Sequence, residues 1–548
     1  MPYGRDMKPS LARFDFPHRS IQDERSNVPS NSLCALAGHE MDGALKSLQL
    51  LTGQGGHGMA TKSWRSWAHV GWSLGSVLLA SSMAAEGLAE ESLFTDSWFL
   101  RGSAMSRPVE VDSPLSSESF APSVIETDNY QLASFSSADS FSIDPVSAAL
   151  SADSWRDRTQ LTGNWGGYRD ALAESGVTIE ASSTNIYQGV ASGGNNNEFA
   201  FGGRGDLFLK VDGGKAGLQE GLLITLHGEM NYGDAVNRAT GAIIPINFAQ
   251  VFPLPDAPTV ALSNVSVTQL LSESMMVYLG KINTLDGFIR PYRGNAHGTD
   301  GFMNGAFLFP TVMGRAIPYS TYGGGVVFLR EMQPILSINV FDTNSTPTTS
   351  GFDEFFNNGA SLYIEGRIPT SFFGMEGLHS LSGAYSSGTY RSTDPGLNFI
   401  IERIRGLNVP APLETGSWAF EYSFSQALWV DATDSKRSWG LFGSLGIADG
   451  NPNPIRWGSD IGIGGSSPLV SRPNDKFGVG YYYLGVSSEL RQIGPIRTAL
   501  RDEHGVELFY NYQVTPTFQL TPDLQIITPG ISTFDTSVNV ALRANLIF

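Results

Sequence analysis

Three groupings of side chains in this sequence are of types that could do chemistry. The stretch "RDEHGVE" gathers Asp502, Glu503, His504 and Glu507, residues able to bind a metal ion or move protons. Their spacing matches no zinc signature, and a turn leading into a strand accounts for them. Glu229 and Glu421 are carboxylates of the kind a glycoside hydrolase pairs across a sugar bond. That chemistry needs them about 5 Å apart in a retaining enzyme, or about 6.5 to 9.5 Å apart in an inverting one. The third grouping, "KINTLDGFIRPYRGNAHGTD", concentrates Lys281, Asp286, Arg290, Tyr292, Arg293, His297 and Asp300. Such a mixture of donors, acceptors and an aromatic face can line a narrow watery passage, where a polar solute must bind weakly enough to leave. Two further motifs carry less. "GRGD" at Gly203–Asp206 opens an alternating strand rather than an adhesion loop, and "GIGG" at Gly462–Gly465 has no following helix to make a phosphate site. No metal and no cofactor is expected.

What would position these groups is a long succession of strands, because apolar and polar residues alternate with period two over most of the chain after Val177. In "RGDLFLKVD" Leu207, Leu209 and Val211 share one face, and Asp206, Phe208, Lys210 and Asp212 share the other. "GLLITLHGEMNY" sets Leu222, Ile224, Leu226, Met230 and Tyr232 against Thr225, His227, Glu229 and Asn231. In "SLYIEGRI" the polar parity holds Glu365 and Arg367, and in "SWAFEYSFSQALWV" it holds Glu421 and Trp429. "ELFYNYQV" contributes Glu507, and the closing "TSVNVALRANLIF" places Arg543 opposite Val538, Val540, Leu542, Leu546 and Phe548.

A soluble sandwich and a membrane barrel both alternate, but they differ in what each face tolerates. A sandwich core holds few Tyr or Trp, since a buried hydroxyl or indole N–H needs a partner. Here Tyr and Trp recur near strand ends on the apolar face, as in the aromatic girdles of an outer-membrane barrel. Charges recur on the other face, where a water-filled lumen keeps them solvated. Only 16% of the residues are charged, against roughly 25% in an average soluble domain. The mean hydropathy of -0.09 is too low for a bundle of membrane helices, each needing about 20 consecutive apolar residues. The fold class expected is therefore all-β, a transmembrane antiparallel barrel of about sixteen strands with a disordered N-terminal leader. The 53 acidic residues against 35 basic, with no basic stripe, argue against nucleic acid as a partner. Cys34 is the only cysteine, so no internal disulfide or Cys-based zinc site can form.

Ahead of the strands the chain divides three ways. Residues 59–89 read as a secretory signal peptide, with Lys62 and Arg65 before the apolar run Val70 to Ala80 and small residues at Ser82-Met83-Ala84 or Gly87-Leu88-Ala89. Met59 is then the expected start, and residues 1–58 a mis-assigned or disordered extension. Residues 90–157 are rich in Ser, Asp, Glu and Pro and lack periodicity, the composition of a flexible linker. Residues 158–548 form the barrel, with 286–322 and 446–473 expected as outer loops.

Several blocks within that region resemble the carbohydrate-selective porins of the OprB family. They are "LTGNWGGYRDALAESGVTIEASSTNIYQGVASGG", "NVSVTQLLSESMMVYLGKINTLDGF" followed by "GFMNGAF", "EHGVELFYNYQVTPTFQLTPDLQIITPG", and the terminal "ALRANLIF". The resemblance implies a sixteen-stranded barrel in the bacterial outer membrane that admits small sugars, mostly monosaccharides, by facilitated diffusion and performs no catalysis. It also implies that the last strand, ending at Phe548, is read by the barrel-assembly machinery. The expected partners are thus small sugars, outer-membrane lipid and that machinery; a monomer and a homotrimer both stay open. The residues expected to line the pore are Asp206, Lys210, His227, Glu229, Lys281, Asp286, Arg290, Arg293, Glu365, Arg367, Glu421, Trp429, Glu507 and Arg543. Two other readings stand beside this one: a general or ion-selective porin on the same fold, and a secreted hydrolase using Glu229 and Glu421.

Overall fold

The computed structural model describes residues 156–253, 258–394, 396, 410–491 and 500–548. The expected extension, the signal peptide and nearly all of the linker lie outside the described residues. A short helix, α1 (Tyr168–Glu174), leads into β1 (Val177–Gly194), and β2 (Phe199–Asp212) and β3 (Leu222–Gly233) follow. Next come β4 (Thr259–Ser272), β5 (Met275–Asn283), and the small hairpin of β6 (Ile289–Arg290) and β7 (Gly294–Asn295). The chain continues through β8 (Ser320–Arg330), β9 (Gln333–Asp342), β10 (Ala360–Phe372), β11 (Met375–Arg391) and β12 (Leu413–Val430). It ends with β13 (Ser438–Ala448), β14 (Ile455–Ser466), β15 (Lys476–Val486), β16 (Glu503–Thr515), β17 (Phe518–Thr528) and β18 (Asp535–Ile547).

Apart from the β6–β7 hairpin, these strands form one closed antiparallel barrel, each paired with its neighbours in sequence, and β18 returns to pair with β1. At the closing seam Ser182 faces Ile547, Ile186 faces Arg543 and Val190 faces Asn539. Closure leaves no strand edge with unpaired backbone groups, the condition for crossing a bilayer with strands. The parity read from sequence becomes an inside and an outside. Val260, Leu381 and Leu542 are 74%, 65% and 45% exposed on the outer surface, whereas Glu229, Glu507 and Arg543 are buried within. Tight turns such as 273–274, 331–332 and 373–374 join strands at one end. The long connections 234–258 and 284–319 leave from the other, the asymmetry of outer-membrane barrels.

One expectation fails in this region. Residues 446–473 are not an outer loop: β14 occupies Ile455–Ser466 and pairs with β13 and β15 over most of its length. Its "GSDIGIGG" has too few bulky residues for alternation to show, although Asp460, Gly458, Gly462 and Gly464 point inward and Ile461 outward. The 284–319 connection does match its expected position. Rather than standing outside, it turns into the barrel and packs on the inner wall.

That inward packing explains why so much of the interior is dry. Phe302 and Phe307 stack 4.4 Å apart, centroid to centroid, and meet Phe442, Tyr482 and Phe509 of β13, β15 and β16 edge-on. The wall makes room with glycines. A Cβ on Gly478 would lie 2.4 Å from Phe509 and 2.9 Å from Phe302, and one on Gly480 would lie 2.5 Å from Phe307. Polar side chains of β16 to β18 then satisfy the backbone of the inserted segments, which burial would otherwise leave without partners. Arg543 donates to the carbonyls of Gly298 and Gly301 at 2.7 and 2.8 Å. Glu507 accepts from the amides of Met303 and Asn304. Gln525 donates to the carbonyl of Ile246 at 2.9 Å, and Glu503 accepts from the amides of Ile243 and Ile244.

Candidate functional site

The inserted connection brings its charged face against two parts of the wall. On one side β2 and β3 carry Arg204, Asp206, His227 and Glu229, all facing in because they share strand parity. Arg204 donates to Asp206 through Nε at 3.0–3.1 Å and also bonds Glu229. The ring of His227, fully buried, lies between two carboxylates, with Nε2 3.0 Å from Asp206 and Nδ1 2.9 Å from Asp286. The same Asp286 oxygen lies 2.9 Å from His297 Nε2, and its other oxygen accepts from Asn264 at 2.7 Å. Tyr319 donates to Glu229. Burial opposes the charge on Asp286, but His227 and His297 outweigh it and hold the carboxyl well below the usual carboxylate range. Tyr319 is pushed well above an ordinary phenol, first by burial and then by Glu229.

Across the barrel, Arg290 and Arg293 of the same connection meet β12 and β14. Arg290 bonds Glu421 and lies 3.6 Å from Asp460, while Arg293 bonds Asp460 and stacks 4.2 Å over the Phe442 ring. On β10 the pair Glu365–Arg367 is two-pronged, at 3.0 and 2.9 Å, and Ser380 donates to Glu365 at 2.7 Å. Lys476 of β15 closes the ring by bonding Asp300 at 2.8 Å. The pairs of Arg204, Arg290 and Arg293, buried on both sides, stay in place, since removing either member of a buried pair costs about 3–5 kcal/mol.

Between these walls lies an open cavity of about 2190 Å³ that reaches from the tight-turn mouth, at Glu273, Glu331 and Met375, to the inserted connection. Of the residues expected to line a pore, Asp206, Lys210, Asp286, Arg290, Glu365 and Arg367 border it. Six of the other eight face inward without doing so; Lys281 and Trp429 stand on the outward parity instead, Lys281 because it pairs with Val265 and Tyr322, and Trp429 because the register shift after Ala427 turns it to pair with Trp439. His227, Glu229 and Glu421 stand behind as the partners of residues that do, and Arg293 is tied to Asp460 and Phe442 of the wall. Lys281 donates to the carbonyl of Thr349 at 2.8 Å and so secures another connection. Glu507 and Arg543 are covered by the inserted segments that they hold. Trp429 sits at the tight-turn end against Arg437, whose guanidinium is 5.8 Å from its ring. Strand parity finds the inward side; it does not reveal which inward positions a folded-in segment covers.

Sequence reasoning passed over Arg204 and Asp460, the hubs of the two ion networks. Arg204 was visible in "GRGD", sharing parity with Asp206. Asp460 lay hidden in the glycine-rich β14. Also bordering the cavity are the aromatic faces of Phe208, Phe288, Tyr292, Phe309 and Tyr363. The carboxylates offered as a hydrolase pair are separated into different networks, Glu229 with Arg204 and Tyr319, Glu421 with Arg290.

A closed barrel that is oily outside, charged inside and narrowed by an inserted segment is an outer-membrane porin: a channel, not an enzyme. The chain belongs to the carbohydrate-selective porin, OprB family, whose pattern matches residues 196–548. Among solved structures it is similar to the high-pH structure of Pseudomonas putida OprB, with 19% identity and a TM-score of 0.62, covering 72% of this chain and 100% of that one. The low-pH structure of the same protein aligns with 14% identity and a TM-score of 0.45, over 72% of this chain and 99% of the other. A loop-deletion mutant of OmpT from Vibrio cholerae aligns with 11% identity and a TM-score of 0.38, over 68% and 100%. No curated protein matches the chain. Family and fold together locate it in the bacterial outer membrane.

Proposed function

We propose that this porin passes small carbohydrates, mostly monosaccharides, down their concentration gradient through a water-filled lumen. The observation that carries the reading is the lining of the cavity, where aromatic faces alternate with charged groups already paired to one another. A sugar offers hydroxyls that both donate and accept, with apolar C–H faces between them. Paired ions such as Glu365–Arg367 can lend it hydrogen bonds without presenting an uncompensated charge, and Phe208, Phe288 and Tyr292 offer surfaces for its ring. A general or ion-selective porin would have less use for such aromatics. We further propose that translation starts at Met59, that residues 59–89 direct export, and that the assembly machinery reads β18 through Phe548.

Liposome swelling with a panel of sugars and amino acids tests the transport reading. Monosaccharides should enter several times faster than amino acids of equal size, and glucose should lower single-channel ion conductance. Equal rates for both classes, with conductance indifferent to glucose, would leave only a general porin.

A further inference from the structure

The ion network on β2 and β3 contains a grouping that the pore does not need for passing solutes. His227 and Glu229 are two residues apart on β3, so both project to the same face, and the connection 284–319 brings His297 against them. One donor atom from each of the three lies within 4.8 Å of the other two. His297 Nδ1 is buried without a hydrogen-bond partner and lies 3.9 Å from Glu229 Oε1. A buried ring nitrogen left unpaired costs free energy unless something fills the gap. Nε2 of the same ring lies 2.9 Å from Asp286, and a carboxylate behind an imidazole is what fixes a metal-binding histidine in the right tautomer and orientation. His227 has a carboxylate at each ring nitrogen, so a metal ion would displace one of them while the other continues to hold the ring. Three carboxylates, Asp206, Glu229 and Asp286, stand beside one permanent cation, Arg204, so the cluster is acidic and suits a cation.

We propose that His227, Glu229 and His297 bind a divalent ion of the zinc class, fastening the inserted connection to the barrel wall. Two imidazoles and a carboxylate form a set that zinc accepts in tetrahedral geometry with a fourth position open. Calcium and magnesium, which prefer oxygen ligands, fit it poorly. Bonds of about 2.0–2.2 Å place tetrahedral ligands about 3.4 Å apart, so the three donors must close by roughly an ångström. His297 would supply that movement by turning its ring, since the backbone beside it is held by Arg543 at the carbonyl of Gly298.

The test uses the full chain, extracted from outer membranes in detergent, stripped with a chelator and titrated with zinc chloride against a chromophoric competitor. The expected result is one zinc per chain, with calcium and magnesium failing to compete. His297→Ala should abolish that site, while Asp286→Asn, which removes only the orienting carboxylate, should weaken it about 10–100-fold. Retention of heat-modifiable mobility on gels shows that each variant still forms its barrel, and Glu229→Gln gives a second ligand substitution should one variant fail to fold. Binding of no zinc by the parent protein overturns the proposal. Binding that persists undiminished in both ligand variants overturns it as well. Neither readout involves sugar flux, so failure here is separate from failure of the transport reading.

Discussion

Asp300 shows how one side chain can tie the inserted connection to the wall in a pH-dependent way. Its carboxylate accepts from Lys476 of β15 at 2.8 Å and from the amide of Asn295 at 2.7 Å, while its own carbonyl accepts from Asn511. Burial favours the neutral form, but Lys476 and the Asn295 amide prevail and keep the carboxyl below the usual carboxylate range. The unfolded chain therefore takes up this proton at higher pH than the folded one, near the reference value of about 3.9. The stabilisation is complete above that value and disappears as pH falls through the lower, folded one. Amide exchange across 290–303, corrected for intrinsic rates, should thus be slow at pH 6 and clearly faster at pH 3. Lys476→Met, by removing the main cause of the shift, should flatten the difference. Equal protection of the parent at both pH values would show that this pair does not hold the connection.

At the scale of elements, β15 is a strand shaped for what it receives. Its inward positions Gly478 and Gly480 lack side chains where Phe302 and Phe307 enter, and Tyr482 follows as an edge-on partner to Phe307. Gly480→Leu would push a branched side chain into the Phe307 ring, and overpacking of that kind costs about 1–3 kcal/mol. The barrel should survive, because backbone pairing of β15 with β14 and β16 is untouched; the inserted connection should lift, and single-channel conductance should rise and become noisier. A variant with unchanged conductance would mean the niche is slack. The same strand shows what could and could not be read in advance. Alternation in β2, β3, β12 and β18 was plain because bulky apolar residues marked the lipid face at every second position. β14 was missed because glycines replaced the bulky residues on its inner face, and glycine carries no periodic signal. The charges of 281–300 were legible as a set suited to a pore. Which wall each would meet was not, because Arg293 with Asp460 and Asp286 with His227 are contacts across 167 and 59 positions that only closure brings together.

For the whole molecule, closure must hold at the single seam between the first and last strands, where neighbours in space are most distant in sequence. The segment before β1 reinforces that seam. The amide of Leu161 donates to the carbonyl of Ile547 at 2.9 Å, the amide of Phe548 donates to the carbonyl of Ala181 at 2.8 Å, and both terminal nitrogens of Arg169 reach the carbonyl of Phe548 at 3.2–3.3 Å. Trp165 lies under the guanidinium at 4.2 Å and keeps it aimed. These contacts give the "GNWGGYR" block a physical role: Gly166 and Gly167 adopt positive φ, turning the chain so that Trp165 and Arg169 face the strand end together. Hydrogen bonds from a charged donor contribute about 1.5–3 kcal/mol when well shielded, and less at this half-buried position. Arg169→Ala should therefore lower the temperature at which the barrel loses its folded gel mobility by a few degrees, without altering solute selectivity, since the Arg169 side chain bonds the carbonyl of Phe548 and Thr162 and no member of the ion networks. Phe548→Ala, which leaves Arg169 its backbone acceptor, should keep that temperature nearly unchanged and instead reduce the amount of protein reaching the outer membrane. If both variants lost thermal resistance equally, the side chain of Phe548 would be part of the latch, and its role would be in closing the barrel rather than in its delivery.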